Sequence, residues 1–106
     1  MVKRGEIWLA VLEPTVGSEI QKTRPCVIVS PPEMHDHLRT VMAAPMTSKG
    51  RPAAFRIALS FDGVSGLILL DQCRALDKQR LVKRLGSVSP EVLSRTLTTL
   101  RDLYAV

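Results

Sequence analysis

Short apolar runs recur along most of the chain, and polar segments containing Gly or Pro separate them. Runs that are rich in β-branched and aliphatic residues are typical of β-strands. The turn signals include Asp62-Gly63, a pair favoured in tight hairpins, and Pro31-Pro32, which cannot continue a central strand. The pattern predicts these strands: Glu6–Leu12, Pro25–Ser30, Arg39–Met46, Phe55–Leu59, Gly66–Leu70, Gln72–Leu76 and Leu81–Val88.

The polar segments between these strands are predicted to be loops, with no helix among them. Residues 13–23 form a long first connection, residues 33–37 follow the second strand, and residues 47–52 follow the third. A connection as long as the first more often serves a function than a minimal turn does.

The end of the chain has a different pattern. Ser89 is a favourable N-cap, Pro90 suits the first helical position, and Glu91 suits the positive end of a helix dipole. The apolar stripe that follows at helical spacing consists of Leu93, Leu97, Leu100 and Tyr104. We therefore predict a mainly β fold with a C-terminal helix, built as one small, strongly bent barrel that forms a single domain over residues 1–106.

Composition adds a prediction about partners. The chain has 106 residues, of which 45% are hydrophobic but only 4% aromatic, so aliphatic side chains must fill the core. A core of this size is often completed by a second subunit. A net charge of +5 favours polyanions such as nucleic acid, although a solvated basic surface would have the same composition. Lys78, Arg80, Lys83 and Arg84 concentrate this charge.

The cysteines and the N-terminus indicate a cytoplasmic protein. Cys26 and Cys73 are far apart in sequence and form no CxxC pair, so we expect reduced, mostly buried thiols. The chain begins with a charged segment that runs directly into a strand, without the apolar region of a signal peptide. No stretch reaches transmembrane length. His35 and His37 are interpreted as solvated loop residues, and no metal or other cofactor is predicted.

Arg24 is the first candidate for chemistry. It precedes Pro25, which favours extended backbone at Arg24 and so gives its side chain a stiff support. A guanidinium group is always charged and can bind two phosphate oxygens at once. The alternative is an ordinary ion pair with Glu19 or Glu13.

Two polar segments after strands are further candidates. Thr47 and Ser48, with Lys49 and Arg51 beside them, offer hydroxyl and cationic donors to an anion. Their alternative is turn chemistry, in which the hydroxyls bond to nearby backbone. Asp71-Gln72 follows an apolar strand and could belong to a polar site, but capping of backbone amides is the favoured role for Asp71.

Taken in order, these segments resemble the MazF/PemK toxins of bacterial type II toxin–antitoxin systems across almost the whole chain. The matching motifs are Lys3-Arg-Gly-Glu-Ile-Trp-Leu9, Glu13-Pro-Thr-Val-Gly-Ser-Glu19, Thr23-Arg-Pro25, Pro45-Met-Thr-Ser48, Leu70-Asp-Gln72 and Val88-Ser-Pro-Glu91. The resemblance implies a homodimeric SH3-like barrel of the MazF/PemK/CcdB type. It also implies a metal-independent, sequence-specific endoribonuclease, an mRNA interferase, inhibited by an acidic MazE-like antitoxin.

The resemblance also assigns roles to residues. The arginine and threonine of the family's functional pair map onto Arg24 and Thr47, and the loop carboxylate maps onto Glu19. Attack by the RNA 2′-hydroxyl would give 2′,3′-cyclic phosphate and 5′-hydroxyl ends, with Arg24 and Thr47 stabilising the phosphorane. Contacts to single-stranded RNA are predicted for Thr23, Ser48, Lys49, Arg51, Asp71, Gln72, Lys78 and Arg80.

The chain departs from the plasmid branch of this family. Members of that branch use a histidine in the first loop, an arginine before the Asp-Gln segment, and the aspartate of that segment. The corresponding positions here are Ser18, Leu69 and Asp71, so only the aspartate is retained. We therefore do not expect this triad to operate.

The sequence alone leaves two rival functions open. The same barrel occurs in CcdB-like toxins that bind DNA gyrase without chemistry, but those would not need Arg24 and Thr47. A barrel that binds nucleic acid without cutting it would use aromatic stacking platforms, and this chain has one Trp, one Tyr and two Phe.

Overall fold

The structure, a computed structural model, describes residues 1–13, 16–17, 19 and 22–106. Within these residues, antiparallel strands curl into a half-barrel that a terminal helix closes. The strands are β1 (Glu6–Val11), β2 (Thr23–Ile28), β3 (Thr40–Thr47), β4 (Arg56–Phe61), β5 (Val64–Leu69), β6 (Arg74–Asp77) and β7 (Leu81–Ser87). The helices are α1 (Pro32–His35) and α2 (Pro90–Leu103). The predicted mainly β fold with a C-terminal helix is confirmed.

Strand β3 organises the sheet, whose order is β4-β5-β3-β2-β1-β7 with β6 also paired to β3. The first half of β3 pairs with β6, from Thr40 opposite Asp77 to Ala43 opposite Arg74. Its middle pairs with β2, and its last two residues pair with β5. One strand thus pairs with three neighbouring strands along its length, and the sheet curves around it.

Aliphatic side chains fill the core on both sides of this bend, as the composition predicts. One cluster lies between the sheet and α2 and includes Ile7, Val27 and Ile68, all fully buried. The other contains Ile28 and Leu76, with Trp8 packed against it. Trp8 is therefore a core residue, in line with the sparse aromatic content.

Glu6 is a buried carboxylate that ties the start of the chain to β7. Its Oε1 accepts hydrogen bonds from the Lys3 amide at 2.7 Å and from the Trp8 indole at 3.1 Å. Its Oε2 accepts one from Nε of Arg84 at 2.7 Å. Burial opposes ionisation of Glu6, but these three donors outweigh it and hold the pKa of the carboxyl below its ordinary value.

The segment after β2 differs from the predicted loop. Residues 32–35 form a short helix, with Pro32 at a position where its missing N–H costs nothing. His35 is fully buried, so the interpretation of both histidines as solvated is wrong for this one. Its imidazole makes hydrogen bonds of 2.9 Å to the Ser30 hydroxyl and 2.8 Å to the Val2 carbonyl, which replace the lost solvent contacts.

Helix α2 begins where the sequence predicts it, with the Ser89 hydroxyl accepting a bond from the Val92 amide at 3.2 Å. Its packed face is rotated from the predicted stripe. Val92 and Leu100 pack against the core, and Thr96 between them is fully buried, whereas Tyr104 is 78% exposed. The hydroxyl of Thr96 donates to the Val92 carbonyl at 2.8 Å, which allows a polar residue to be buried there.

Within the described part of the chain, no helix is long and apolar enough to span a membrane.

We expect Glu6→Gln to lower the free energy of unfolding by about 1–3 kcal/mol, the range for hydrogen bonds to charged groups. The pKa of Glu6 is lower in the folded than in the unfolded state, so its contribution is complete above the unfolded value of about 4.3. It is lost as the pH falls through the lowered folded value. Urea unfolding from pH 7 to pH 3 measures this, and the gap between wild type and variant should narrow only below about pH 4.5. Exposed Glu33→Gln is the control, and an equal loss there would contradict the assignment.

We also expect Gly66→Ala to destabilise the β3–β5 pair. A Cβ at Gly66 would lie 2.9 Å from the carbonyl oxygen of Thr47, a backbone atom that cannot move aside cheaply. Overpacking of this kind costs about 1–3 kcal/mol, measurable as a lower midpoint in urea. Ser65→Ala on the same strand is the control, and an unchanged midpoint for Gly66→Ala would show that the strands separate without cost.

Candidate active site

Three clefts with shared lining residues lie where β2, β3 and β5 meet. The Arg24 cleft, of about 260 Å³, is lined by Arg24, Thr47, Lys49, Gly50, Arg56, Leu69 and Gln72. On one side, an apolar groove of about 300 Å³ shares Arg24 and Thr47 with it and adds residues such as Met46, Phe61 and Leu85. On the other side, a polar pocket of about 310 Å³ shares Gln72 and contains Glu19, Asp71 and Arg74.

Strand register explains why Arg24 and Thr47 line the same cleft. Strands β2 and β3 are antiparallel, with Cys26 opposite Pro45. Continuing this register by two residues places Arg24 opposite Thr47, and residues two apart on a strand face the same side. The structure thus brings together the two residues that sequence analysis ranked first.

The hydroxyl of Thr47 already takes part in a local turn. Its oxygen accepts a bond from the Lys49 amide at 3.1 Å and donates to the Lys49 carbonyl at 3.3 Å. The turn chemistry considered as an alternative is therefore present. It also fixes the hydroxyl at the cleft, with Lys49 beside it.

Arg56 enters the Arg24 cleft from β4 and is held there by Asp71. Its Nε donates to Oδ1 of Asp71 at 3.1 Å, and its Nη2 donates to Oδ2 at 3.0 Å. Its Nη1 donates to the Arg51 carbonyl at 3.2 Å. The hydrogen bonds from Arg56 lower the pKa of the Asp71 carboxyl, and the same bonds raise the pKa of Arg56. The carboxylate of Asp71 thus binds a side chain of the cleft, and a hydrogen bond from its own backbone amide also lowers its pKa.

Sequence analysis missed Arg56 because it sits at the start of a strand with no motif around it. The relevant signal is the β4–β5 register, in which Arg56 lies directly opposite Leu69. Leu69 is the position where the plasmid branch has its arginine. A guanidinium is therefore present near Asp71, but it comes from the neighbouring strand.

Glu19 lies in the polar pocket with Asp71 and Gln72, beside the Arg24 cleft. Its Oε1 accepts a bond from the Val16 amide at 2.6 Å, and its own amide donates to the Val16 carbonyl at 3.2 Å. These two bonds link Glu19 to Val16 within the first connection. Ser18, the position of the plasmid-branch histidine, lies outside the described residues.

The other predicted RNA contacts fall into two groups. Ser48 lines the apolar groove, whereas Thr23 and Arg51 line none of the three clefts and are the sequence neighbours of two residues of the Arg24 cleft, Arg24 and Gly50. Lys78 and Arg80 do not line any of the three clefts described above. The ammonium of Lys78 donates to the His35 carbonyl, and Nη1 of Arg80 donates to the carbonyls of Val11 and Glu13. These two cations hold chain segments together at another part of the barrel.

Both cysteines are free, as predicted. Burial raises the pKa of the Cys26 thiol to about 12 and also raises the pKa of Cys73. Thiols of this kind stay protonated and are poor nucleophiles. Among the described residues, no three His, Cys, Asp or Glu side chains are grouped in the way that would hold a metal ion.

Comparison with known proteins gives one consistent family. The family model of the PemK-like, MazF-like toxins of type II toxin–antitoxin systems matches residues 3–104. The chain is 39% identical over 108 aligned positions to a protein named Endoribonuclease PemK from Escherichia coli, covering 96% of this chain and 81% of that protein.

Solved structures agree with this match. A crystal structure of MazF from Deinococcus radiodurans superposes with a TM-score of 0.85 at 29% identity, covering 96% of this chain and 94% of the other. A MazE–MazF crystal structure from the same organism gives a TM-score of 0.77 at 26% identity, with 96% and 93% covered. The predicted fold type is thereby confirmed. With a family match over nearly its whole length, this chain belongs to the PemK-like, MazF-like toxins of type II toxin–antitoxin systems.

Proposed function

We propose that this toxin is an endoribonuclease that cleaves single-stranded RNA without a metal ion, using the 2′-hydroxyl of the substrate as nucleophile. The observation that carries the proposal is that Arg24 and Thr47 line one cleft together with Lys49 and Arg56. Such a set of donors suits a phosphate group. The similarity to a protein named Endoribonuclease PemK supports the same activity.

The proposed reaction needs alignment and charge stabilisation more than a protein nucleophile. The 2′-oxygen attacks the adjacent phosphorus and loses its proton, and the bond to the 5′-oxygen breaks as that oxygen gains one. The products are a 2′,3′-cyclic phosphate and a 5′-hydroxyl. Arg24 binds the non-bridging oxygens, where negative charge accumulates, and the Thr47 hydroxyl turns from the Lys49 carbonyl to donate to the same group.

Glu19 is proposed as the general base. Its carboxylate lies in the polar pocket next to the Arg24 cleft. To take the proton from the 2′-hydroxyl, it would have to exchange its bond to the Val16 amide for one to the substrate. Arg24 is a poor base because its guanidinium stays protonated.

Sequence selection would come from bases on either side of the cut. A single strand can turn unstacked bases outward, so that side chains read their edges. The apolar groove next to Arg24 and Thr47 offers space for such a base. Thr23, Ser48, Lys49, Arg51 and Gln72 are proposed contacts to the flanking nucleotides, and Lys78 and Arg80 to more distant phosphates.

The partners follow from the family and from charge. We propose one domain over residues 1–106, a homodimer in the cytoplasm, and inhibition by an acidic antitoxin attracted to a toxin of net charge +5. A solved relative is described as a MazE–MazF complex, which supports an antitoxin partner.

Arg24→Ala is expected to lower kcat/KM on single-stranded RNA by about 100- to 1000-fold, or about 3–4 kcal/mol, because an oxyanion donor is lost. Thr47→Val should lower it by about tenfold or more, since one hydrogen bond to the charged phosphate is removed. A labelled oligonucleotide that contains a cleavage site mapped from transcript 5′ ends provides the assay. Arg101→Ala is the matched control, because this exposed arginine pairs with Asp102 on α2 and lies outside the three clefts. Undiminished cleavage by Arg24→Ala would refute its role.

Removal of metal ions should leave cleavage unchanged. We expect the same rate in excess EDTA, product 5′ ends that accept phosphate directly from a polynucleotide kinase, and no cut where a 2′-deoxynucleotide precedes the scissile phosphate. Inhibition by EDTA would contradict the metal-free scheme, and cleavage of the 2′-deoxy substrate would contradict 2′-hydroxyl attack. No cleavage of any RNA, together with inhibition of DNA gyrase, would favour the CcdB-like alternative.

A further inference from the structure

We propose that Arg56 is a second RNA-binding residue of the Arg24 cleft, which contacts a backbone phosphate while Asp71 positions its guanidinium. The inference rests on the proposed function, because it assumes that RNA occupies this cleft. Arg56 lies outside every motif of the family resemblance. Only the pairing of β4 with β5, which sets Arg56 opposite Leu69, brings it to the cleft.

The geometry of the guanidinium supports this role. Asp71 takes the edge formed by Nε and Nη2, and the Arg51 carbonyl takes one N–H of Nη1. A guanidinium has five N–H donors, so among the described residues these bonds use three. One N–H on each Nη atom is left, and N–H groups of a guanidinium bind phosphate oxygens strongly.

The surroundings of Arg56 fix its position before any ligand binds. Its side chain is 21% exposed, its Cζ lies 5.9 Å from the centroid of the Phe55 ring, and the carboxylate of Asp71 holds it from the side. An arginine held in this way loses little conformational entropy when it binds an anion. A surface ion pair without such packing would be free to reorient.

Arg56 is also close to Thr47. A methyl group built at Gly50 would lie 3.1 Å from Cγ2 of Thr47 and 3.8 Å from Nη1 of Arg56. Thr47 and Arg56 therefore both approach Gly50 closely, with Leu67 beside them, and no side chain at Gly50 separates the two. A phosphate group held by Arg24 and Thr47 would lie within reach of the Arg56 guanidinium.

The rival explanation is that Arg56 and Asp71 form a purely structural ion pair across β4 and the turn after β5. The two explanations differ in how loss of Arg56 and loss of Asp71 would each affect RNA binding. A structural pair predicts the same consequence from loss of either member. The proposal predicts that loss of the arginine removes a phosphate contact, whereas loss of the aspartate only loosens its support.

The test uses full-length protein and two probes. Cleavage kinetics use the RNA oligonucleotide that the wild type cuts, and binding uses the same sequence with 2′-O-methyl riboses, which cannot react. Arg56→Gln should raise KM about tenfold or more with kcat within about twofold, as expected for a charged hydrogen bond made in both ground and transition states. It should also make the negative slope of log K against log salt concentration shallower by about 0.7, the value for one phosphate contact on a single strand.

Three further variants make the result decisive. Arg56→Lys, which keeps the charge without the fork, should retain the salt slope and recover part of the affinity. Asp71→Asn should also retain the wild-type slope, because the cation remains. Arg101→Gln on α2 should change neither quantity, and thermal melting of each variant reports whether it is folded.

The outcomes separate this inference from the proposed function. An unchanged salt slope and KM in Arg56→Gln, with active wild type, would overturn the role of Arg56 alone. Equal effects of Arg56→Gln and Asp71→Asn on RNA binding would overturn it in favour of the structural pair. If Arg56→Gln does not fold, Arg56→Lys is measured in its place. A salt slope in Arg56→Lys that is shallower than the wild-type slope, although the charge is kept, would also overturn the proposal. Wild type that cleaves no RNA would overturn both proposals together.

Discussion

Strand β3 is the element on which the rest of the structure depends. It pairs with β6, β2 and β5 along its eight residues. The two apolar clusters take alternate residues of β2 and β3 and so lie on opposite faces of the sheet, and β3 ends at Thr47, which is buried and lines the Arg24 cleft. The close approach of Gly66 to the Thr47 carbonyl is part of the same constraint, because only a residue without a side chain allows β5 to pack so near.

The cleft gathers charge that the sequence spreads over four segments. Arg24 comes from β2, Lys49 follows β3, Arg56 begins β4, and Asp71 lies in the turn after β5. Cations brought so close would repel one another, and Asp71 reduces this repulsion while it orients Arg56. Glu6 plays a different part on β1: its carboxylate is surrounded by donors from the chain itself and stabilises the fold.

The sequence predicted elements best where the local signal and the packing agree. Helix α2 begins at Ser89 because a capping hydroxyl, a proline and an acidic residue all favour that start. The predictions of burial failed where contacts between residues distant in sequence determined which side chains are buried. His35 looks like a solvated loop residue from its polar neighbours, but Ser30 and Val2 satisfy its ring and allow burial. Tyr104 has the spacing of the predicted apolar stripe of α2 but is exposed. The residues of α2 that face the core are Val92, Thr96 and Leu100.

By itself, the sequence determined the family and the mainly β architecture, and it singled out Arg24 and Thr47 as the leading candidates for the site, because these depend on motifs and on patterns within short segments. Only the tertiary structure decided which charged residues share the cleft. Register placed Arg56 opposite Leu69 and beside Asp71, and it placed Lys78 and Arg80 elsewhere, where they bind carbonyl groups of other segments. The reason is physical: the distance between side chains on different strands is fixed by strand pairing and sheet curvature, which no single stretch of sequence contains.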